Sequence, residues 1–114
     1  MDKYEAVDVL SALAQQTRLE AFRQLVAAEP DGMPAGELAR LLDIPQNTLS
    51  AHLAILTRIG LTESRRESRS IIYRANLSTA RDLALFLLKD CCHGRPEICT
   101  SLLSELHPCL DICG

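Results

Sequence analysis

Three cysteines stand as an adjacent pair followed, after six intervening residues, by a third, at Cys91, Cys92 and Cys99. Thiolate sulfur is a soft donor. Three sulfurs without nitrogen or oxygen partners suit a thiophilic ion of trigonal pyramidal shape, namely As(III) or Sb(III). Zn(II) prefers four ligands in a tetrahedron and would need His93 or Cys109 to complete it. Adjacent cysteines on a helix point about 100° apart, so the third ligand has to arrive from outside that helix. Gly94 and Pro96 supply a break that can return Cys99 to the pair. Cys109 and Cys113, in the tail Pro108 to Gly114, are candidates for a second site or for delivering the ion. The same thiols could act as a redox switch. A metallochaperone or thiol enzyme is a further reading, but beyond His93 no nucleophile, base and orienting group are visible together.

All five cysteines lie after residue 90, so the domain before them must fold without sulfur chemistry. An odd number confined to one end is not the disulfide framework of a small secreted protein. With 114 residues the chain can bury a core but is short for an enzyme with a deep cleft, which favours a binding module. The start, Met1 to Leu10, has no basic and apolar signal-peptide pattern, and the longest strictly apolar run is Leu83 to Leu88. The expectation is a cytoplasmic protein that does not enter a membrane, with a folded domain over 1–92 and a cysteine-containing segment over 93–114.

The elements that must present the cysteines are mostly helical. Val7, Leu10, Leu13 and Ala14 recur at helical spacing and predict a first helix from Tyr4 to Ala14. Thr17 is a candidate N-cap for a second helix with an apolar stripe of Leu19, Phe22, Leu25 and Val26, ended by Pro30-Asp31-Gly32. Pro34 opens a short third helix carrying Leu38, Leu41 and Leu42. A fourth, from Gln46 to Ile59, places Leu49, Leu53 and Leu56 on one side and Gln46, Asn47, Ser50, Ala51 and Ala54 on others. Gly60 ends it. Leu61 to Asn76 then reads as a β-hairpin turning at Arg66-Glu67-Ser68-Arg69, with Ile71 and Tyr73 on one face. A last helix from Ser78 to Cys92 is more apolar around Leu83 to Leu88 than one buried stripe requires, so it should also meet a second subunit.

The order α-α-α-α-β-β-α, with a tight turn between the third and fourth helices, has the parts of a winged helix-turn-helix. Small residues near the start of the fourth helix would let it enter the major groove. There Gln46 and Asn47 could meet adenine edges, while Thr48 and Ser50 could reach bases or phosphates and Ala51 lies on the same open side. Arg65, Arg66 and Arg69 in the hairpin could reach phosphate or the minor groove, and His52 is a candidate phosphate or packing contact. The net charge of −3 hides a local excess: from Gln46 to Asn76 five arginines accompany two acids, so this stretch carries +3 and the rest −6. A local basic face is what counterion release on DNA requires.

The runs Leu13-Ala14-Gln15-Gln16-Thr17-Arg18-Leu19 and Pro45-Gln46-Asn47-Thr48-Leu49-Ser50-Ala51-His52-Leu53, then Gly60-Leu61 and the arginine-rich hairpin ending Tyr73-Arg74, resemble the ArsR/SmtB family of metal-responsive repressors. The resemblance covers residues 4 to 92. It implies a homodimer, paired through its first and last helices, that occupies double-stranded operator DNA and leaves when an inducer binds. The segment Cys91 to Cys99 is similar to the C-terminal arsenite site of some arsenic-responsive members. The third helix, Ala35 to Arg40, lacks the Cys-x-Cys of other arsenic-responsive members, and the Asp/His and His/Glu pairs of the zinc sensors are unmatched on the last helix. Asp43 stands where the family often has a turn glycine, Ala51 where a longer contact residue is frequent, and Ser68 where the hairpin tip is usually glycine.

Overall fold

The computed structural model describes residues 1–89. In chain order the elements are α1 (Lys3–Leu13), α2 (Gln16–Ala27), β1 (Met33–Pro34), α3 (Ala35–Leu42), α4 (Gln46–Ile59), β2 (Thr62–Glu67), β3 (Ser70–Ala75) and α5 (Leu77–Lys89). The chain divides into two units, Met1–Leu83 and Ala84–Gly114. Among the described residues no helix is long and apolar enough to cross a membrane.

The core of the first unit is built around α4. Its Leu49, Leu53 and Leu56 are fully buried, together with Leu25 of α2, Leu38 of α3 and Leu61 just after α4. Spacing of four and three residues puts the α4 leucines on one stripe, and each buried side chain contributes about 1.5–3 kcal/mol. Packing of α2 against α1 and α3, and of all three against α4, closes the core. Gly60 ends α4 in the left-handed conformation at φ 91°, where a residue without Cβ has no steric cost. Asp43 adopts the same conformation at φ 55° to end α3, its N–H returning to Arg40 O at 3.2 Å while Ile44 N reaches Ala39 O at 3.1 Å. These bonds satisfy the last carbonyls of α3 and turn the chain sharply into α4.

Four expectations need correction. The fold has a third strand: β1 pairs antiparallel with β3, Met33 opposite Tyr73 and Pro34 opposite Ile72, giving the sheet order β1-β3-β2. Pro34 fits there because β1 is an edge, where a missing N–H breaks no ladder. Secondly, α2 is capped by Gln15, whose side chain accepts from Arg18 N at 2.8 Å; Thr17 is inside the helix. Thirdly, α1 buries Ala6, Val9 and Ala12, while Tyr4, Val7 and Leu10 are 75%, 57% and 41% exposed. The small residues permit close approach to the core, so the bulky apolar stripe faces outward. Finally, α2 buries Ala21, Phe22 and Leu25 and leaves Leu19 and Val26 exposed, and in α3 only Leu38 of the three predicted leucines is fully buried, with Leu41 exposed.

Candidate nucleic-acid interface

The open side of α4 is small and polar, as its sequence requires. Gln46, Asn47, Thr48, Ser50 and Ala51 are all exposed, on the faces left over once Leu49, Leu53 and Leu56 are buried. Pro45 supplies no side-chain cap, and the Thr48 N–H is taken by Asn47 Oδ1 at 3.0 Å. The start of the helix therefore presents backbone N–H groups and the positive end of its dipole, a combination that attracts a phosphate oxygen. With its oxygen engaged, Asn47 offers the amide NH2 as a donor. Gln46 lies over Gly36, its Oε1 3.3 Å from where a Cβ on that glycine would stand. The side chain is thus held beside the start of α3.

Strand register decides which hairpin arginines share that side. β2 and β3 pair from Thr62 opposite Ala75 to Glu67 opposite Ser70, with Arg65 opposite Ile72 and Arg66 opposite Ile71. Because directly opposed residues share a face, Arg66 goes with Ile71 and Tyr73, while Arg65 goes with Glu63, Glu67, Ile72 and Arg74. Ile71 and Tyr73 line a groove of about 350 Å³ together with Gln46 and Ser50 of α4 and Arg69 of the hairpin turn. Arg66 and Arg69 therefore flank the exposed face of α4. Ser68, at the tip, takes φ 56°, so the position usually held by glycine keeps the turn conformation with a side chain in place.

Arg65 lies on the other face and is partly neutralised. Its Nη2 donates to Asp31 O at 3.2 Å and to Glu67 Oε2 at 3.3 Å. Arg74, counted from sequence with the basic stretch, is a fold contact: its Nη2 meets Glu29 Oε2 at 2.8 Å and Nη1 lies 3.8 Å from Glu63 Oε1. The hydrogen bond from Arg74 to Glu29, then the charge of Glu29, raise the Arg74 pKa above its ordinary value, so this side chain stays charged. Arg58, near the end of α4, lines a pocket with Glu5, Asp8 and Asp82. Of the five arginines in the basic stretch, Arg58, Arg66 and Arg69 make no salt bridge among the described residues, and of these Arg66 and Arg69 belong to the hairpin. The signal that separates Arg66 from Arg65 and Arg74 is strand parity, together with the acids Glu29 and Asp31 before β1, whereas Arg69 lies in the turn between the strands.

His52 is half-buried on the flank of α4, and its Nδ1 lies 3.4 Å from Arg18 Nη1. It belongs to the border of the exposed face, one turn after Thr48. Cys91, Cys92, Cys99, Cys109 and Cys113, and His93 with them, lie outside the described residues, and residues 1–89 contain no cysteine. Among the described residues no group of three His, Cys, Asp or Glu side chains is arranged to hold a metal ion.

A helix-turn-helix whose second helix is exposed on one side, flanked by a β-hairpin with two outward arginines, defines a winged helix-turn-helix DNA-binding protein. Residues 13–65 match a family described as a helix-turn-helix domain. The chain is 32% identical over 90 residues to the transcriptional activator HlyU of Vibrio cholerae, spanning 79% of this chain and 81% of the relative. It is 39% identical over 70 residues to the biofilm growth-associated repressor of Agrobacterium fabrum, spanning 61% and 57%. Its fold superposes, with a TM-score of 0.61 and 30% identity over 78% of this chain and 81% of the other, on the homodimeric winged helix-turn-helix DNA-binding domain of a possible ArsR-family regulator from Mycobacterium bovis. The chain belongs to the ArsR/SmtB family of winged helix-turn-helix transcriptional regulators. It is a transcriptional regulator, not an enzyme.

Proposed function

We propose that the protein is a homodimeric repressor that leaves its operator when As(III), or Sb(III), is bound by the thiolates of Cys91, Cys92 and Cys99. The observation that carries this reading is the separation of chemistries along the chain. The winged helix-turn-helix is free of cysteine, and all five cysteines follow it, three of them as an adjacent pair with a third beyond a Gly/Pro break. A soft three-sulfur set matches a pyramidal trivalent ion better than zinc, which would have to recruit His93 or Cys109. Cys109 and Cys113 would hold a second ion or deliver the first.

Dimer formation is supported by the outward stripe of Tyr4, Val7 and Leu10 on α1, and by the homodimeric state of the Mycobacterium bovis domain. Two subunits would set their reading helices about 34 Å apart, one turn of DNA. Repression, rather than activation, follows from a ligand that removes the protein from DNA; the two curated relatives carry opposite signs, an activator and a repressor. The ion releases DNA only to the extent that it binds the free conformation more tightly than the bound one, a coupling of about 1–3 kcal/mol, or about 5- to 150-fold in affinity.

The test is an anisotropy titration of protein on its own upstream DNA against As(III), Sb(III), Zn(II), Cd(II) and peroxide in parallel. As(III) and Sb(III) should release the duplex, and Cys99→Ser should abolish that release while leaving binding without ion intact. If Cys99→Ser is released by As(III) as readily as the parent, the three-sulfur site is wrong. Release by peroxide alone would instead assign the thiols to a redox switch.

A further inference from the structure

Arg18 joins three helices. Its backbone N–H, at the start of α2, donates to Gln15 Oε1 at 2.8 Å, its Nε donates to the Ala12 carbonyl in the last turn of α1 at 2.6 Å, and its Nη1 lies 3.4 Å from Nδ1 of His52 on α4. A guanidinium has donors and no acceptor, and it does not give up its proton in a folded protein. The imidazole nitrogen facing it must therefore accept. A donor on that side favours the tautomer in which Nδ1 is bare and the ring proton sits on Nε2. His52 is half-buried on the flank of α4 that carries Thr48 one turn earlier, beside the exposed Gln46, Ser50 and Ala51 but not among them.

We propose that Arg18 is a positioning residue for DNA binding. Anchored on the end of α1 and holding His52 by Nδ1, it leaves Nε2–H as an oriented donor to a phosphate oxygen beside the reading helix. The proposal rests on α4 being the reading helix. A phosphate, rather than a base edge, is the acceptor because His52 occupies the flank of the helix and not its most exposed line. Arg18 itself is half-buried and already bonded to the Ala12 carbonyl, so it acts through the imidazole and not on DNA. Lysine cannot replace it, because a single ammonium lacks the planar fork that meets the Ala12 carbonyl and the ring together.

Long-range 1H–15N spectra of the labelled full-length protein without DNA test the first half independently of any operator. The expected pattern is a bare Nδ1 and a protonated Nε2 at His52, changing to a mixture of tautomers in Arg18→Lys; a protonated Nδ1 in the parent overturns the proposal. The second half is read by anisotropy on a duplex that the protein selects from a random pool, over a range of salt. Arg18→Lys should weaken binding about three- to tenfold, the worth of one hydrogen bond, without changing the salt slope. In a His52→Ala background the same substitution should add less than about twofold. Fully additive losses, or a salt slope lowered by about one, would mean that Arg18 contacts phosphate directly, and the proposal fails. His52→Gln, whose amide N–H can stand in for Nε2–H, should keep more affinity than His52→Asn, whose amide nitrogen falls near Nδ1. Equal loss in the two also refutes it, and both variants leave Arg18 in place.

Discussion

Replacing Arg66 by alanine should damage DNA binding far more than replacing its neighbour Arg65. The two residues are adjacent, equally charged and both exposed, so composition cannot separate them. The structure does: Arg66 shares its face with Ile71 and Tyr73, which line the groove beside Gln46 and Ser50, whereas Arg65 is turned to Asp31 O and Glu67 Oε2 at 3.2 and 3.3 Å. One phosphate contact adds about 0.9 to the slope of log affinity against log salt, and a charge-assisted hydrogen bond is worth about tenfold in affinity or somewhat more. Arg66→Ala should therefore lose about tenfold at 50 mM salt. The deficit should narrow by about 3.5-fold on going to 200 mM, since fourfold salt raised to the 0.9 power is the parent's own extra loss. Arg65→Ala should stay within about twofold of the parent at both salts, because Glu67 already offsets its charge and an exposed ion pair contributes about 0–1 kcal/mol. Fluorescence anisotropy on one duplex at several salt concentrations reads both numbers. If Arg65→Ala loses as much as Arg66→Ala, or if the Arg66→Ala slope equals that of the parent, the assignment of hairpin faces is wrong.

Gly32→Ala should cost about 2–4 kcal/mol in denaturant unfolding, because the backbone there has positive φ and an added Cβ meets firm neighbours. It would stand 2.5 Å from Tyr73 O and 2.6 Å from Arg74 Cγ at φ 79°. A loss below 1 kcal/mol would show that β1 does not need this close approach to β3. Ser68→Gly should do the opposite at the hairpin tip, where φ is 56°, raising stability by about 0.5 kcal/mol and Tm by about 2–4 °C in calorimetry. Combining Val7→Glu with Leu10→Glu should convert the proposed dimer to monomer in sedimentation without unfolding it, because the two side chains are 57% and 41% exposed within the protomer. A dimer of unchanged strength would move the interface away from α1.

Much of the fold was legible because its signals are local. Leu49, Leu53 and Leu56 announce the buried stripe of α4, Gly60 its end, and the charged turn followed by Ile71 and Tyr73 the hairpin, each through a few neighbouring residues and the backbone's own geometry. Asp43, which stands where the resembling family often has a turn glycine, takes the left-handed conformation at φ 55°. The two-residue β1 was not, since two residues carry no period and the strand exists only because β3 is there to pair with it. Gln15 was passed over as a cap because hydroxyl and short carboxyl or amide side chains usually fill that role, yet its longer amide reaches Arg18 N.

By itself the sequence determined a helix-turn-helix with an arginine-bearing hairpin, an α4 with one aliphatic and one small polar side, and a cysteine set beyond it. Strand parity, a property of the backbone, turns Arg65 and Arg66 to opposite sides, yet from sequence both stood with Arg69 as candidate DNA contacts. Only the tertiary structure decided which of those sides faces α4, that Arg74 is committed to Glu29, that the larger apolar stripe of α1 faces outward, and that His52 is held by Arg18. Periodicity relates the faces of one element to each other. It does not say which face another element covers, because that depends on packing and pairing between residues far apart in the chain.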